Sequence, residues 1–226
     1  MSVVVKQKAY LADKKAFTSH LQVQALAIQL VKSTVLQGVI VMNDYVQELN
    51  LEDEDLDDEP EKPAFIPPTP REFIIRCQKH CIKTISNTTM LRSLEFLSIQ
   101  YLEVRSAGKL VKDVAKSALR KYARNQSSLT AAVQIVKTGA KSSILTSVAI
   151  FLVEEIIALI NVLQQKIKRT SDQAEKQFLQ VTLVGLRRCG LAIVASAAGG
   201  AVGTLIAPGR GTFIGAFVGE SLAYAF

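Results

Sequence analysis

Three groups of residues in this 226-residue chain have the types and spacing for chemistry. Cys77, His80 and Cys81 fall within one helical turn and offer three metal ligands on a shared face. A fourth ligand is missing, and tetrahedral zinc sites draw on two such clusters, so ordinary packing accounts for the trio and no metal is expected. Glu154 and Glu155 sit in the middle of Ile144 to Leu163, a run with no other charge. Arg187 and Arg188 lie in the next apolar stretch. The third group is cationic: Lys109, Lys112, Lys116, Arg120, Lys121 and Arg124 ring a segment whose other face carries Leu110, Val111, Val114, Ala118, Leu119 and Tyr122.

The glutamates set an energetic problem. Thirteen Leu, Ile, Val or Phe residues between Ile144 and Leu163 give about −6 kcal/mol of insertion energy, which two central ionised groups at about +3 kcal/mol each would cancel. An antiparallel hairpin turning about residue 170 brings Arg187 and Arg188 beside them as counter-charges. Such a quartet either fixes the register of two helices or lines a polar path, and the structural role is the simpler expectation. The cationic segment suits the headgroup plane of an anionic membrane, with a solvated bundle face as the alternative.

No nucleophile motif is visible, His20 and His80 are far apart in sequence, and no cofactor motif occurs, so the expectation is a protein that is not an enzyme. The three cysteines are too few and too scattered for a disulfide framework. No signal-peptide pattern is evident, and the N-terminal segment, without arginine before Arg71, makes a poor transit peptide.

The elements that must position these groups are all helical in pattern, so the expected class is all-α. Leu21, Ala25, Ile28, Val31, Val35, Val39, Met42 and Val46 follow a three-and-four rhythm, which predicts an N-terminal amphipathic helix within residues 1–47. Packing of that face into a core is its ordinary use. Residues 48–70 read as a linker, with nine acids from Glu48 to Glu61 and then Pro60, Pro63, Pro67, Pro68 and Pro70. A mixed helix from 71 to about 103 follows, then a break at Ser106–Gly108, and residues 71–226 form a helical membrane domain with apolar helices at about 141–166, 174–207 and 211–226.

Charge divides with this organisation. Residues 1–61 hold five lysines against eleven acids, a net of −6, and residues 62–226 hold 22 basic against nine acidic groups, a net of +13. The basic part is also the apolar part, which fits contact with anionic lipid. A nucleic-acid binder would add aromatic platforms or a recognition motif, and neither is present.

Near the C-terminus, eight positions spaced four apart are all small: Ala195, Gly199, Gly203, Ala207, Gly211, Gly215, Gly219 and Ala223. In a helix they form one ridge, and the missing side chains let a second backbone approach closely. Pro208 and Gly209 interrupt the row and suit the two central positions of a type II turn, so it belongs to a hairpin of two short helices. No GxxxxGK[ST] phosphate loop is present.

The stretch GGAVGTLIAPGRGTFIGAFVGE, residues 199–220, resembles the glycine-zipper segments of small organellar and bacterial membrane proteins. The resemblance covers about a tenth of the chain. It implies tight helix packing, self-assembly or membership of a membrane complex, membrane shaping, or in some members translocation. It also points to an organellar membrane, the mitochondrial one ahead of plastid or endoplasmic reticulum. The mitochondrial import-channel family is similar in its four helices and zipper glycines, but its signature with internal Arg and Asp is not matched. The expectation is a non-enzymatic integral membrane bundle for assembly, scaffolding or bilayer shaping. A translocation component and a soluble bundle that inserts on a trigger are the alternatives.

Overall fold

A computed structural model describes residues 16–52, 66–167 and 174–225. Among them are a short 3-10 helix at Phe17–Leu21 and seven α-helices: α1 Val23–Glu52, α2 Pro70–Tyr101, α3 Val104–Leu110, α4 Val114–Asn125, α5 Ser128–Ile167, α6 Ala174–Ile206 and α7 Arg210–Ala225. No strand occurs among the described residues. Three helices are long and apolar enough to cross a membrane: α1 over Val23–Gln47, α5 over its whole length, and α6 over Lys176–Ile206. The chain folds as two compact units that divide inside α2, one of Thr18–Ser86 and one built on Asn87–Phe226.

In the first unit α1 is more apolar than a docking stripe. Val23, Leu30, Val31, Leu36, Val39, Ile40 and Met42 are all exposed, and Ser33 is the one fully buried side chain described in the helix. The core-packing role expected of this helix is therefore not what the fold shows. Apolar residues surround it on every side, with Lys32 and Asp44 the only charges between Val23 and Gln47. It also runs through Glu52, into the segment expected to be linker, while most of that linker, residues 53–65, lies outside the described residues.

Helix α2 starts at Pro70, whose missing N–H is tolerated in a first turn. Thr69 and Glu72 close a capping box around it. The Glu72 N–H donates to Thr69 Oγ1 at 3.3 Å, and the Thr69 N–H donates to Glu72 Oε2 at 3.0 Å. The prolines read as linker residues thus end in a helix start signal.

The second unit corrects two boundaries. The break after α2 falls at Leu102–Glu103, and Ser106 to Gly108 are helical within α3. The cationic segment is two helices, parted at Val111–Asp113, because the Asp113 side chain caps α4 by accepting from the Lys116 N–H at 3.0 Å. Helix α4 then closes on Gln126 in the left-handed region, φ 50°. Helix α5 begins at Ser128, 13 residues before the expected 141, and continues through Lys137 and Lys141.

Helices α5, α6 and α7 pack in sequence order, and α3 and α4 lie on α5. The interior is built from small side chains: Ala131, Ala132, Gly139, Ser143, Ser147 and Ala149 on α5, with Ala192, Ser196 and Ala197 on α6. Among the described residues, Ile135 is the only large aliphatic one whose side chain is fully buried. Leu183, Val194, Ile206, Phe213 and Phe217 are instead between 62% and 81% exposed. The usual burial order of a water-soluble core is inverted.

Candidate functional site

The small-residue ridge is used inside the chain. On α6, Gly199 and Gly203 face Gly215 and Gly211 of α7, and Gly219 faces Ala195. A Cβ added to Gly199, Gly203, Gly211, Gly215 or Gly219 would collide with a backbone carbonyl oxygen of the opposite helix, those of Gly215, Gly211, Gly203, Gly199 and Ala195 in turn. Backbone therefore meets backbone, which only glycine permits at these five positions. Ala207 touches the Gly211 position and Ala223 is buried. The ridge thus builds the hairpin itself.

Two residues to which the sequence alone assigns no role hold the hairpin shut. Thr204 and Thr212 are fully buried and share a hydroxyl–hydroxyl hydrogen bond of 2.7 Å. Thr204 Oγ1 also bonds the Gly200 carbonyl at 2.6 Å, and Thr212 Oγ1 accepts the Gly209 N–H at 3.1 Å. These are the threonines of the Gly203-Thr204 and Gly211-Thr212 repeat, which is the signal that could have found them. Gly209 has φ +93°, which favours glycine, and a side chain there would strike Leu119 of α4 at 2.7 Å. Helix α4 is seated on the hairpin turn.

The acid–base quartet is placed differently from expectation. Three contacts set the α5–α6 register: Thr182 Oγ1 lies 2.7 Å from Glu155 Oε2, Phe151 packs 3.0 Å from where Gly185 would carry a Cβ, and Gly139 meets Ala197 at 3.3 Å in the same sense. The helices are thus paired about residue 168 rather than 170. Arg187 and Arg188 stand level with Ala149 and Val148, more than a turn from the glutamates. Glu155 is answered by the Thr182 hydroxyl instead of an arginine. Its Oε1 and the Arg188 Nε are buried without a hydrogen-bond partner, and Arg187 is exposed.

The six cations of α3, the break and α4 divide in two. Lys109, Lys116 and Arg120 are exposed and Lys112 is half-buried. Lys121 and Arg124 turn toward α5, where Lys121 Nζ donates to the Gln134 carbonyl and Thr138 Oγ1, both at 2.6 Å, and Arg124 Nη2 donates to Gln134 Oε1 at 3.0 Å. Ser117 and Ala118 are buried beneath them, while Leu119 and Tyr122 of the expected apolar face remain exposed. Burial, then the nearby Lys112 and Arg124 charges, lower the Lys121 ammonium to about 8. Helix α4 is therefore a packed element of the bundle that keeps part of its charge on the outside.

A cavity of about 460 Å³ lies between α2, the α3–α4 break, α5 and α7, lined in part by Arg92, Glu95, Lys112, Phe213, Phe217 and Glu220. Arg92 and Glu95 form an ion pair with side chains only 10% and 15% exposed. In the other unit, Ser33 Oγ and His80 Nδ1 are 3.0 Å apart. Ser33 is fully buried, so this pair ties α1 to α2 and presents no open nucleophile. Among the described residues no group of three metal-ligating side chains converges, and Cys77, Cys81 and Cys189 are free thiols.

Comparison with protein-family models, with curated proteins and with solved structures found no match for this chain.

Proposed function

We propose that this chain is a non-enzymatic integral membrane protein that serves assembly, scaffolding or bilayer shaping in an organellar membrane. The inverted burial carries the reading: small side chains fill the helix contacts while Leu, Ile, Val and Phe face outward on α1, α5, α6 and α7. In water that surface is an aggregation hazard, whereas in lipid it is the ordinary arrangement, because helix association there relies on close backbone approach. On this reading the α6–α7 contact is a glycine zipper closed within one molecule. Outward cations at Lys109, Lys116 and Arg120 suit anionic headgroups, worth about 1 kcal/mol each near such a surface. Alkaline carbonate extraction is the test: the chain stays in the membrane pellet, and release into the supernatant overturns the proposal.

A translocation role is the second reading, favoured by Glu155 Oε1 and Arg188 Nε, which are buried without hydrogen-bond partners. Polar atoms of this kind inside a membrane bundle mark ion or substrate paths. Flux through reconstituted vesicles tests it, and a Glu154→Gln/Glu155→Gln variant with unchanged flux removes its basis.

A further inference from the structure

Four of the lysines line an open hollow. Lys109 in the last turn of α3, Lys112 in the break, and Lys137 and Lys141 one turn apart on α5 line a space of about 290 Å³, with Thr138 as the remaining wall. No carboxylate lines it. Water takes roughly 30 Å³ in the liquid, so the space is about ten times that of one water and far exceeds a monatomic ion. Lys137 and Lys141 were no part of the cationic helix read from the sequence; the fold adds them by extending α5 back to Ser128.

We propose that this hollow binds an anion carrying two or more phosphate groups. Each ammonium is a compact charge with three donors that turns to suit tetrahedral oxygens, whereas a carboxylate site would favour the planar fork of arginine, and no arginine lines the hollow. Four such charges around one space match an anion of several charges better than a single phosphate. Thr138 Oγ1 is already engaged, donating to the Gln134 carbonyl at 3.2 Å and accepting from Lys121 Nζ, so its part is to hold a fifth ammonium behind the wall.

Depth along α5 indicates the source. Lys137 and Lys141 immediately precede Ile144–Leu163, so an α5 that crosses the membrane along that run places the hollow at headgroup level. In this respect the site rests on the membrane reading above, and its ligand there is a lipid with two phosphates. A soluble polyphosphate offers the same chemistry.

Native mass spectrometry of the full chain in neutral detergent tests this with three probes: diphosphatidylglycerol, phosphatidylserine and sodium pyrophosphate. One diphosphatidylglycerol is retained per chain, at least about tenfold more tightly than phosphatidylserine. Lys137→Gln/Lys141→Gln weakens that binding about tenfold or more, Lys137→Arg/Lys141→Arg retains it, and Arg76→Gln/Arg105→Gln, which removes the same charge outside the hollow, leaves it unchanged. Circular dichroism on each variant establishes that helix content is equal. Retention of the lipid without pyrophosphate assigns the membrane source, and retention of pyrophosphate alone assigns a soluble one. Binding of neither probe, equal affinity for phosphatidylserine, or equal loss in the two glutamine pairs overturns the site. A chain released by carbonate that still binds pyrophosphate through Lys137 and Lys141 overturns the membrane reading and leaves the site standing.

Discussion

Thr204 and Thr212 bond hydroxyl to hydroxyl at 2.7 Å across the turn at Pro208 and Gly209, and both are closed off from solvent. Each hydroxyl also serves a backbone group, so neither can be removed without leaving a polar atom stranded. Thr212→Val strands the Gly209 N–H, while the Thr204 hydroxyl keeps the Gly200 carbonyl, and is expected to cost about 1–3 kcal/mol in hairpin stability. The Thr204→Val/Thr212→Val double variant loses less than the sum of the two singles, because the shared bond is counted once. Denaturation of the detergent-solubilised chain followed by circular dichroism measures all three, and simple additivity contradicts the clasp.

Glycine positions on α6 divide sharply. Gly199→Ala and Gly203→Ala push a methyl into a carbonyl of α7, and each is expected to cost about 1–3 kcal/mol or more. Gly190, on the same helix, has nothing within 4 Å of its absent Cβ. Gly190→Ala is expected to be neutral or to stabilise by about 0.5–1 kcal/mol, since alanine orders more readily in a helix. Equal effects at Gly190 and Gly199 in the same assay would sink the close-contact account.

The α5–α6 register predicts which partner of Glu155 matters. Thr182→Val removes the hydroxyl at 2.7 Å from the carboxylate and is expected to cost about 1.5–3 kcal/mol. Arg187→Gln changes an exposed side chain and is expected to stay within about 0.5 kcal/mol. The opposite order would restore the pairing of glutamate with arginine that a turn at residue 170 implies.

Lys121 supplies a pH dependence. Its ammonium is lowered from the ordinary lysine value of 10.5 to about 8, so between those values the folded chain binds fewer protons at this site than the unfolded one. Stability contributed by this group therefore rises with pH from about 8 to 10.5, and its unfavourable charge is fully present below 8. After reductive methylation, the carbon-13 signal of the Lys121 methyl groups should titrate near 8. Lys112→Gln and Arg124→Gln should each move it upward, and a midpoint insensitive to both excludes their charges as a cause.

How much of this was legible depends on the distance over which each signal acts. The apolar stretches and the Pro208–Gly209 turn are local, and the helices end where the sequence changes: α6 at Ile206 and α7 from Arg210. The α4 start was misplaced because amphipathic periodicity runs across Asp113, whereas its side chain bonds the Lys116 N–H and breaks the helix there. At α5, an expected start at 141 leaves Lys137 outside the helix and Lys141 at its first residue, although lysine is a good helix former and the helix runs unbroken from Ser128 through both.

Contacts between helices were less readable. The α5–α6 register depends on how many residues the connection uses, and helical rhythm does not fix that number. An error of two residues in the turn point shifts every facing pair by about four, which exchanges Thr182 for Arg187 beside the glutamates. The Ser33–His80 bond joins residues 47 apart and has no local signature. In α1 the three-and-four rhythm marks one face, but the other faces are equally apolar, so the rhythm there does not single out a packed side.

The α6–α7 contact also has an entropic character. Glycine and alanine have no side-chain rotamers to lose, so once both helices exist, bringing Gly199, Gly203, Gly211, Gly215 and Gly219 together freezes no χ angle. The α5–α6 seam differs, because Phe151 must hold one orientation over Gly185. Heating penalises the ordering of side chains, so α5 should part from α6 at a lower temperature than α6 parts from α7. The C-terminal hairpin is then the last piece of this unit to come undone and the one that needs the least order around it to form.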